Sequence, residues 1–145
     1  MKFLLAQINP VVGDLEGNAK KILYAASKAS SNSADLVLTP ELSLWGYPAN
    51  DLLLKKNLIK NQYQILDQLA LDIYKKHGNL SITVGIAEII NDSFFPNLYN
   101  SIALLERGEW KIIARKIILP TYEVFDEKRY FRSEEKVSVL TKEIN

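Results

Sequence analysis

A lysine at the end of an apolar run stands directly before a loop dense in ionisable groups, between Lys116 and Phe131. The run Trp110 to Leu119 reads as a strand carrying Lys116, Pro120 ends it, and Tyr122, Glu123, Asp126, Glu127, Lys128, Arg129 and Tyr130 follow. An ammonium flanked by Ile117 and Ile118 is suited to stabilising a developing oxyanion. The same pattern fits a lysine whose stem lies along a strand edge with its head in water. The second candidate is Glu41, a lone carboxylate among apolar neighbours just past a short strand, where a general base would be useful. A solvated loop glutamate is the plain alternative. Tyr47 and Tyr122 pair a hydroxyl with an apolar body, which suits the lining of a small polar-ligand pocket or an ordinary core. Glu123, Asp126 and Glu127 offer a further carboxylate, or surface partners for Lys128, Arg129 and Arg132.

The elements that must position these groups alternate. Lys2 to Asn9 is an apolar run ended by Pro10 and reads as a buried strand. From Leu15 to Ser31 the apolar residues Leu15, Ala19, Ile22, Leu23 and Ala26 keep the spacing of an amphipathic helix. Asp35 to Leu38 is a short strand stopped by Thr39 and Pro40, and a carboxylate just beyond such a strand lies where α/β folds handle ligands. Asp51 is expected to cap a short helix near Leu52. Leu58 to Lys76 is a second helix, closed by Gly78 and Asn79, with His77 as a surface or capping residue. Ser81 to Ile90 is a β-branched strand, Asn91 to Asn97 a loop, and Tyr99 to Leu105 a strand that turns at Arg107 and Gly108 into the run carrying Lys116. So short a turn predicts an antiparallel hairpin beside parallel strands. The tail holds at most one weak strand, Val137 to Leu140. The fold class expected is α/β, with a mixed sheet covered by helices.

Bulk properties narrow the function classes. At 145 residues, 48% hydrophobic and 24% charged, the chain reads as a globular domain or as part of a larger one. A net charge of +1 offers no field to gather phosphate backbones or anionic lipid, so neither nucleic acid nor membrane is expected as a partner. No apolar run approaches the roughly 20 residues that span a bilayer, and the amino terminus lacks a secretory pattern; a cytoplasmic location is expected. There is no cysteine, and the sole histidine is His77, which excludes disulfides, cysteine metal sites and histidine clusters from these residues. The scattered glycines form no phosphate-cradling loop.

Three stretches together resemble the nitrilase, or carbon-nitrogen hydrolase, superfamily: KFLLAQINPVVGDLEGNAKKI, LVLTPELSLWGYP and ARKIILPTYEVFDEKRYF. Within it, GYPANDLL after the glutamate and LPTYEVFDEKRYF after the lysine resemble the glutaminase domains of glutamine-dependent NAD synthetases. The resemblance implies an αββα sandwich and hydrolysis of the glutamine amide. Ammonia is then passed to a synthetase domain that uses ATP, with Mg2+ expected there, to amidate nicotinate adenine dinucleotide. It implies Glu41 as general base, Lys116 as the stabiliser of the tetrahedral intermediate, Glu127 as a supporting carboxylate, and Tyr47, Tyr122 and Phe125 around the glutamine pocket. Thr121 and Glu123 depart from the subfamily, which usually has asparagine and a small residue there.

The family's nucleophile is a cysteine thiolate, chosen because neutral hydroxyls attack far more weakly. In the resemblance it follows the region like Val137 to Asn145. The expectation is therefore that residues 1–145 form the amino-terminal part of a glutaminase domain, truncated before the nucleophile strand and inactive alone, with exposed sheet edges. No cofactor is expected in the chain itself, and a full-length relative is expected to form homo-oligomers. A stand-alone amidase of the same superfamily and a non-catalytic binding or relic protein are the competing expectations.

Overall fold

The computed structural model describes residues 1–90, 95–123 and 125–139. Five strands, β1 (Phe3–Leu5), β2 (Leu36–Leu38), β3 (Ser81–Ile89), β4 (Leu98–Glu106) and β5 (Glu109–Arg115), form one sheet in sequence order. β1, β2 and β3 are parallel, and β3, β4 and β5 are antiparallel. The mixed α/β sheet expected from the sequence is present.

Helix α1 (Leu15–Ser31) begins where the Asp14 side chain accepts from the Gly17 backbone N–H at 2.9 Å, satisfying one of the open donors of the first turn. Its buried stripe is Leu15, Ala19, Ile22, Ala26 and Ala29. Helix α2 (Lys56–His77) buries Ile59, Leu66, Leu69, Ala70 and Ile73, and Gly78 ends it at a φ of 59° that favours glycine. The two helices pack on each other and on one face of the sheet, against Ile82, Val84, Ile86, Ala103 and Leu105. The opposite face leaves Phe3 55%, Leu5 75% and Ile102 41% exposed.

Several expected boundaries move, each because a partner runs out. The run from Lys2 to Asn9 is strand only at Phe3–Leu5, since β1 is an edge strand whose one neighbour, β2, is equally short. The run to Leu119 ends as strand at Arg115, where one more bond, from Lys116 N–H to Asn100 C=O at 2.8 Å, closes the pairing. Asp51 does not cap a helix. It sits inside a 3-10 turn (Asn50–Leu54) and accepts a hydrogen bond from the Tyr130 hydroxyl at 2.6 Å. His77 ends α2 with its Nε2 3.4 Å from the Ser27 hydroxyl of α1. Residues 137–139 form no strand; Leu140, and residues 91–94 of the expected loop, lie outside the described residues. Among the described residues no helix is long and apolar enough to cross a membrane.

Because β2 stops at Leu38, β3 would have unpaired backbone groups beyond it, and buried peptide groups need partners. Fully buried Gln62 of α2 supplies them. Its Nε2 donates to Ala87 C=O at 2.7 Å, and its Oε1 accepts from Ala87 N–H at 3.0 Å and from the Trp45 indole. Gln62→Leu keeps the volume but strands three buried polar groups, so it is expected to destabilise the fold by about 3 kcal/mol, read as a lower urea midpoint. A loss within about 0.5 kcal/mol would show these bonds to be replaceable.

Candidate active site

The segment after β2 crosses the helix-free face of the sheet directly over Gly85. A Cβ at Gly85 would stand 2.3 Å from Leu42 N and 2.8 Å from Pro40 O, a separation no side chain tolerates. The crossing is then locked. Gly85 N–H donates to the Ser43 hydroxyl at 3.0 Å, Leu44 N–H donates to Gly85 C=O at 3.1 Å, and Thr39 Oγ1 donates to Thr83 C=O at 2.8 Å. Leu42 takes a φ of 45°, an uncommon left-handed conformation for leucine that lets the chain turn back at once. Buried Asn18 of α1 holds the turn from behind through Leu44 C=O at 3.0 Å and both backbone groups of Val11 at 2.7 Å. Glu41 is thereby raised on a rigid crest.

Lys116 reaches the same face through a β-bulge. Trp110, Lys111 and Ile112 pair with Leu105, Leu104 and Ala103, Ile113 has no partner, and Ala114 and Arg115 pair with Ile102 and Ser101. Side chains alternate along a strand, so one extra residue reverses the facing of all that follow. Trp110 and Ile112 pack toward the helices, whereas Lys116 falls on the face of Asn100 and Ile102. Beyond the bulge, the Arg115 guanidinium grips both oxygens of Glu88 at 2.6 and 2.7 Å and reaches Glu134 at 3.0 Å, and the Ser101 hydroxyl donates to Glu88 at 2.7 Å. This network ties β3, β4 and β5 together beside the lysine.

The result is one cluster from three distant segments. Lys116 Nζ donates to Glu41 Oε1 at 2.7 Å and to Glu127 Oε1 at 2.9 Å. The Tyr47 hydroxyl donates to Glu127 Oε1 at 2.8 Å, and Asn100 Nδ2 donates to Glu41 Oε1 at 2.6 Å. Glu127 is 4% exposed, and its Oε2 is buried with no hydrogen-bond partner among the described residues. Burial alone would depress the Lys116 ammonium, but its bonds to Glu41 and Glu127 outweigh that and hold it above the ordinary lysine value. Burial first, and then the hydrogen bond to the Glu127 carboxylate, push the Tyr47 phenol far above the ordinary tyrosine value. An ammonium has three donors, so one remains on Lys116 for a ligand oxygen. Glu41 Oε2 has no partner among the described residues and is available as a proton acceptor.

A cavity of about 300 Å³ opens beside Glu41 and Lys116, with Thr39, Asn100, Ile102 and Ala114 in its wall. Tyr47, Phe125 and Glu127 border a different, smaller recess of about 20 Å³. The Phe125 ring lies 6.2 Å from Tyr47 and 5.4 Å from Tyr122, and Tyr122 is 63% exposed. Glu41, Lys116, Glu127 and Tyr47 therefore meet directly, with Phe125 and Tyr122 in a ring cluster at the edge. Arg129 pairs with Asp51 at 3.6 Å and Arg132 donates to Pro96 C=O at 3.2 Å, leaving Glu127 to turn inward. Glu123 has a φ of 56°, in the left-handed region that favours glycine. Asn100 and Gly85 were not singled out from sequence. A glycine inside a β-branched strand is a sign of close backbone approach, and the polar pair Asn100–Ser101 interrupts an otherwise apolar strand. No group of three or more His, Cys, Asp or Glu that could hold a metal ion occurs among the described residues.

Comparison with known proteins adds four findings. The family model described as carbon-nitrogen hydrolase matches residues 5–144. The chain is 39% identical over 140 residues to the glutamine-dependent NAD(+) synthetase of Thermotoga maritima, covering 97% of this chain and 23% of that protein. It is 42% identical over 135 residues to that of Synechocystis sp., covering 91% and 24%. Among solved structures, the glutamine-dependent NAD+ synthetase of Acinetobacter baumannii superposes with a TM-score of 0.83 at 35% identity, covering 97% of this chain and 25% of that one. The chain thus spans about a quarter of the length of the curated relatives it matches.

The raised tyrosine value has a measurable consequence. A folded value above the unfolded one stabilises the protein below the unfolded value, about pH 10 for tyrosine, and the contribution is lost as pH rises through the folded value. In an alkaline titration of tyrosinate absorbance, the difference between wild type and Tyr47→Phe is expected to rise well above pH ~10. A difference curve centred at the ordinary value would mean that neither the burial of Tyr47 nor its bond to Glu127 persists in solution.

Proposed function

The chain belongs to the carbon-nitrogen hydrolase family, and from that premise we propose that its Glu41–Lys116–Glu127 cluster belongs to a glutamine-hydrolysing site. On this reading the site works within a longer, cytoplasmic polypeptide that spends the ammonia on NAD synthesis. The observation that carries the proposal is the shared ammonium. Lys116 is held between two carboxylates with one donor left over, while Glu41 lines a cavity large enough for a small amide.

The chemistry follows from those positions. Glu41 Oε2 takes the proton of a thiol as the sulfur attacks the amide carbon, and the remaining N–H of Lys116 donates to the oxyanion that forms. The C–N bond then breaks, ammonia leaves with the proton returned by Glu41, and water hydrolyses the thioester by the same base. Glu127 keeps Lys116 charged and aimed, and Tyr47 steadies Glu127. Phe125, in the neighbouring smaller recess with Tyr122 against its ring, is assigned to the apolar margin of the site. The 145 residues contain no cysteine, so the thiol is assigned to the remainder of the polypeptide. The synthetase portion, with its ATP and Mg2+, is assigned there too. Glutamine as substrate is supported by the synthetase relatives at 39% and 42% identity.

The test is made in the intact enzyme. Glu41→Gln and Lys116→Ala are each expected to lower glutamine-dependent NAD formation by about a hundredfold or more, while synthesis from free ammonium salts continues. Loss of both activities together, or of neither, would overturn the assignment.

A further inference from the structure

Resting on the amide-hydrolase reading above, we infer that Asn100 is a positioning residue that selects which oxygen of Glu41 carries the proton. Asn100 lies on β4, 5% exposed, in the wall of the cavity that Glu41 and Lys116 share. It acts on both of them. Its backbone C=O takes the Lys116 N–H at 2.8 Å, fixing the lysine's register, and its side-chain amide donates to Glu41 Oε1 at 2.6 Å. Its own backbone cannot drift, because the adjacent Ser101 is bonded to Glu88 and Glu88 is clamped by Arg115.

Two donors converge on Glu41 Oε1, Asn100 at 2.6 Å and Lys116 at 2.7 Å. A carboxylate oxygen has two lone-pair sites, so Oε1 is filled and Oε2 is left as the proton acceptor. Lysine alone would not achieve this. Its ammonium sits on a flexible stem, and the terminal torsion of glutamate is broad, so a single contact lets the carboxylate turn and exchange its oxygens. Asn100 supplies the second fixed point from a strand. An amide suits the position because it offers donors without charge, whereas an aspartate there would set a carboxylate against Glu41.

The experiment measures glutamine hydrolysis in the intact enzyme, with ammonia-dependent synthesis as an internal control, for Asn100→Ala, Asn100→Asp and Asn100→Gln. Asn100→Ala is expected to lower kcat by roughly 10- to 100-fold with KM within about threefold of wild type, because only the alignment of the base is lost. Asn100→Asp should fall at least as far, and Asn100→Gln, which keeps a donor, should recover part of the rate. Ammonia-dependent synthesis should be unchanged in all three. If Asn100→Ala does not accumulate as folded protein, the near-isosteric Asn100→Asp carries the same test. An Asn100→Ala or Asn100→Asp enzyme with kcat within about twofold of an active wild type would overturn the inference and leave the functional reading intact. So would a parallel loss of hydrolysis, ammonia-dependent synthesis and melting temperature, which is the mark of a purely structural residue. A wild type that hydrolyses no amide would instead overturn the functional reading, and the inference with it.

Discussion

One ammonium holds two carboxylates together. Glu41 and Glu127 are far apart in sequence, and the contact between them is made through Lys116 Nζ, at 2.7 and 2.9 Å. A buried carboxylate is costly unless paired, and the Glu127 side chain is only 5% exposed. Its Oε2 has no hydrogen-bond partner among the described residues, whereas a pair arranged for stability alone would satisfy every lone pair. Such a group persists where the surrounding structure over-determines it. Here the determination comes from backbone: the Glu127 N–H is bonded to Pro120 C=O at 3.1 Å, the Tyr130 and Phe131 N–H groups return to Glu127 C=O, and the Tyr130 hydroxyl is tied to Asp51.

Two small backbone devices make that meeting possible. At Gly85 the absence of a side chain lets the Glu41 segment lie on the sheet, and beside Ile113 one unpaired residue turns Lys116 to the same face. Each works on a scale of a few ångströms. Both lie near the middle of the β3–β4 ladder, where Gly85 pairs with Ile102, just past the carboxyl end of β2, so Glu41, Asn100 and Lys116 converge over neighbouring strands. Parallel α/β sheets gather ligands in the same way, beyond the carboxyl ends of their strands.

What was legible in the sequence divides along the same line. Helix α1 appears with the bounds its periodicity suggested, and the hairpin of β4 and β5 follows from its short turn. These signals are local. Strand ends were less legible because a strand extends only as far as its neighbour: Gln7 to Asn9 continues β1 and Ile117 to Leu119 is apolar enough for a sheet, but neither stretch has a neighbouring strand there. At the site, Glu41 and Lys116 stood out by residue type and by family resemblance. Asn100 did not, because its contact with Glu41 joins residues 59 positions apart through the folded chain, which no residue type announces.

The bulge makes the same point from the energetic side. A regular ladder would have given β5 continuous pairing and sent Lys116 toward the helices, into the layer that holds Trp110 and Ile112. That layer holds Glu88, already paired with Arg115, but neither Glu41 nor Glu127, so a lysine sent there would be lost to the cluster. Leaving Ile113 out of the ladder costs at most the pairing of one residue, on the order of 1 kcal/mol. The irregular strand is therefore what brings the Lys116 ammonium to Glu41 and Glu127. The Glu88–Arg115–Glu134 network just past the bulge then restores order to β5 before the chain leaves the sheet. Local regularity is given up at one residue so that three charged groups can share a single face.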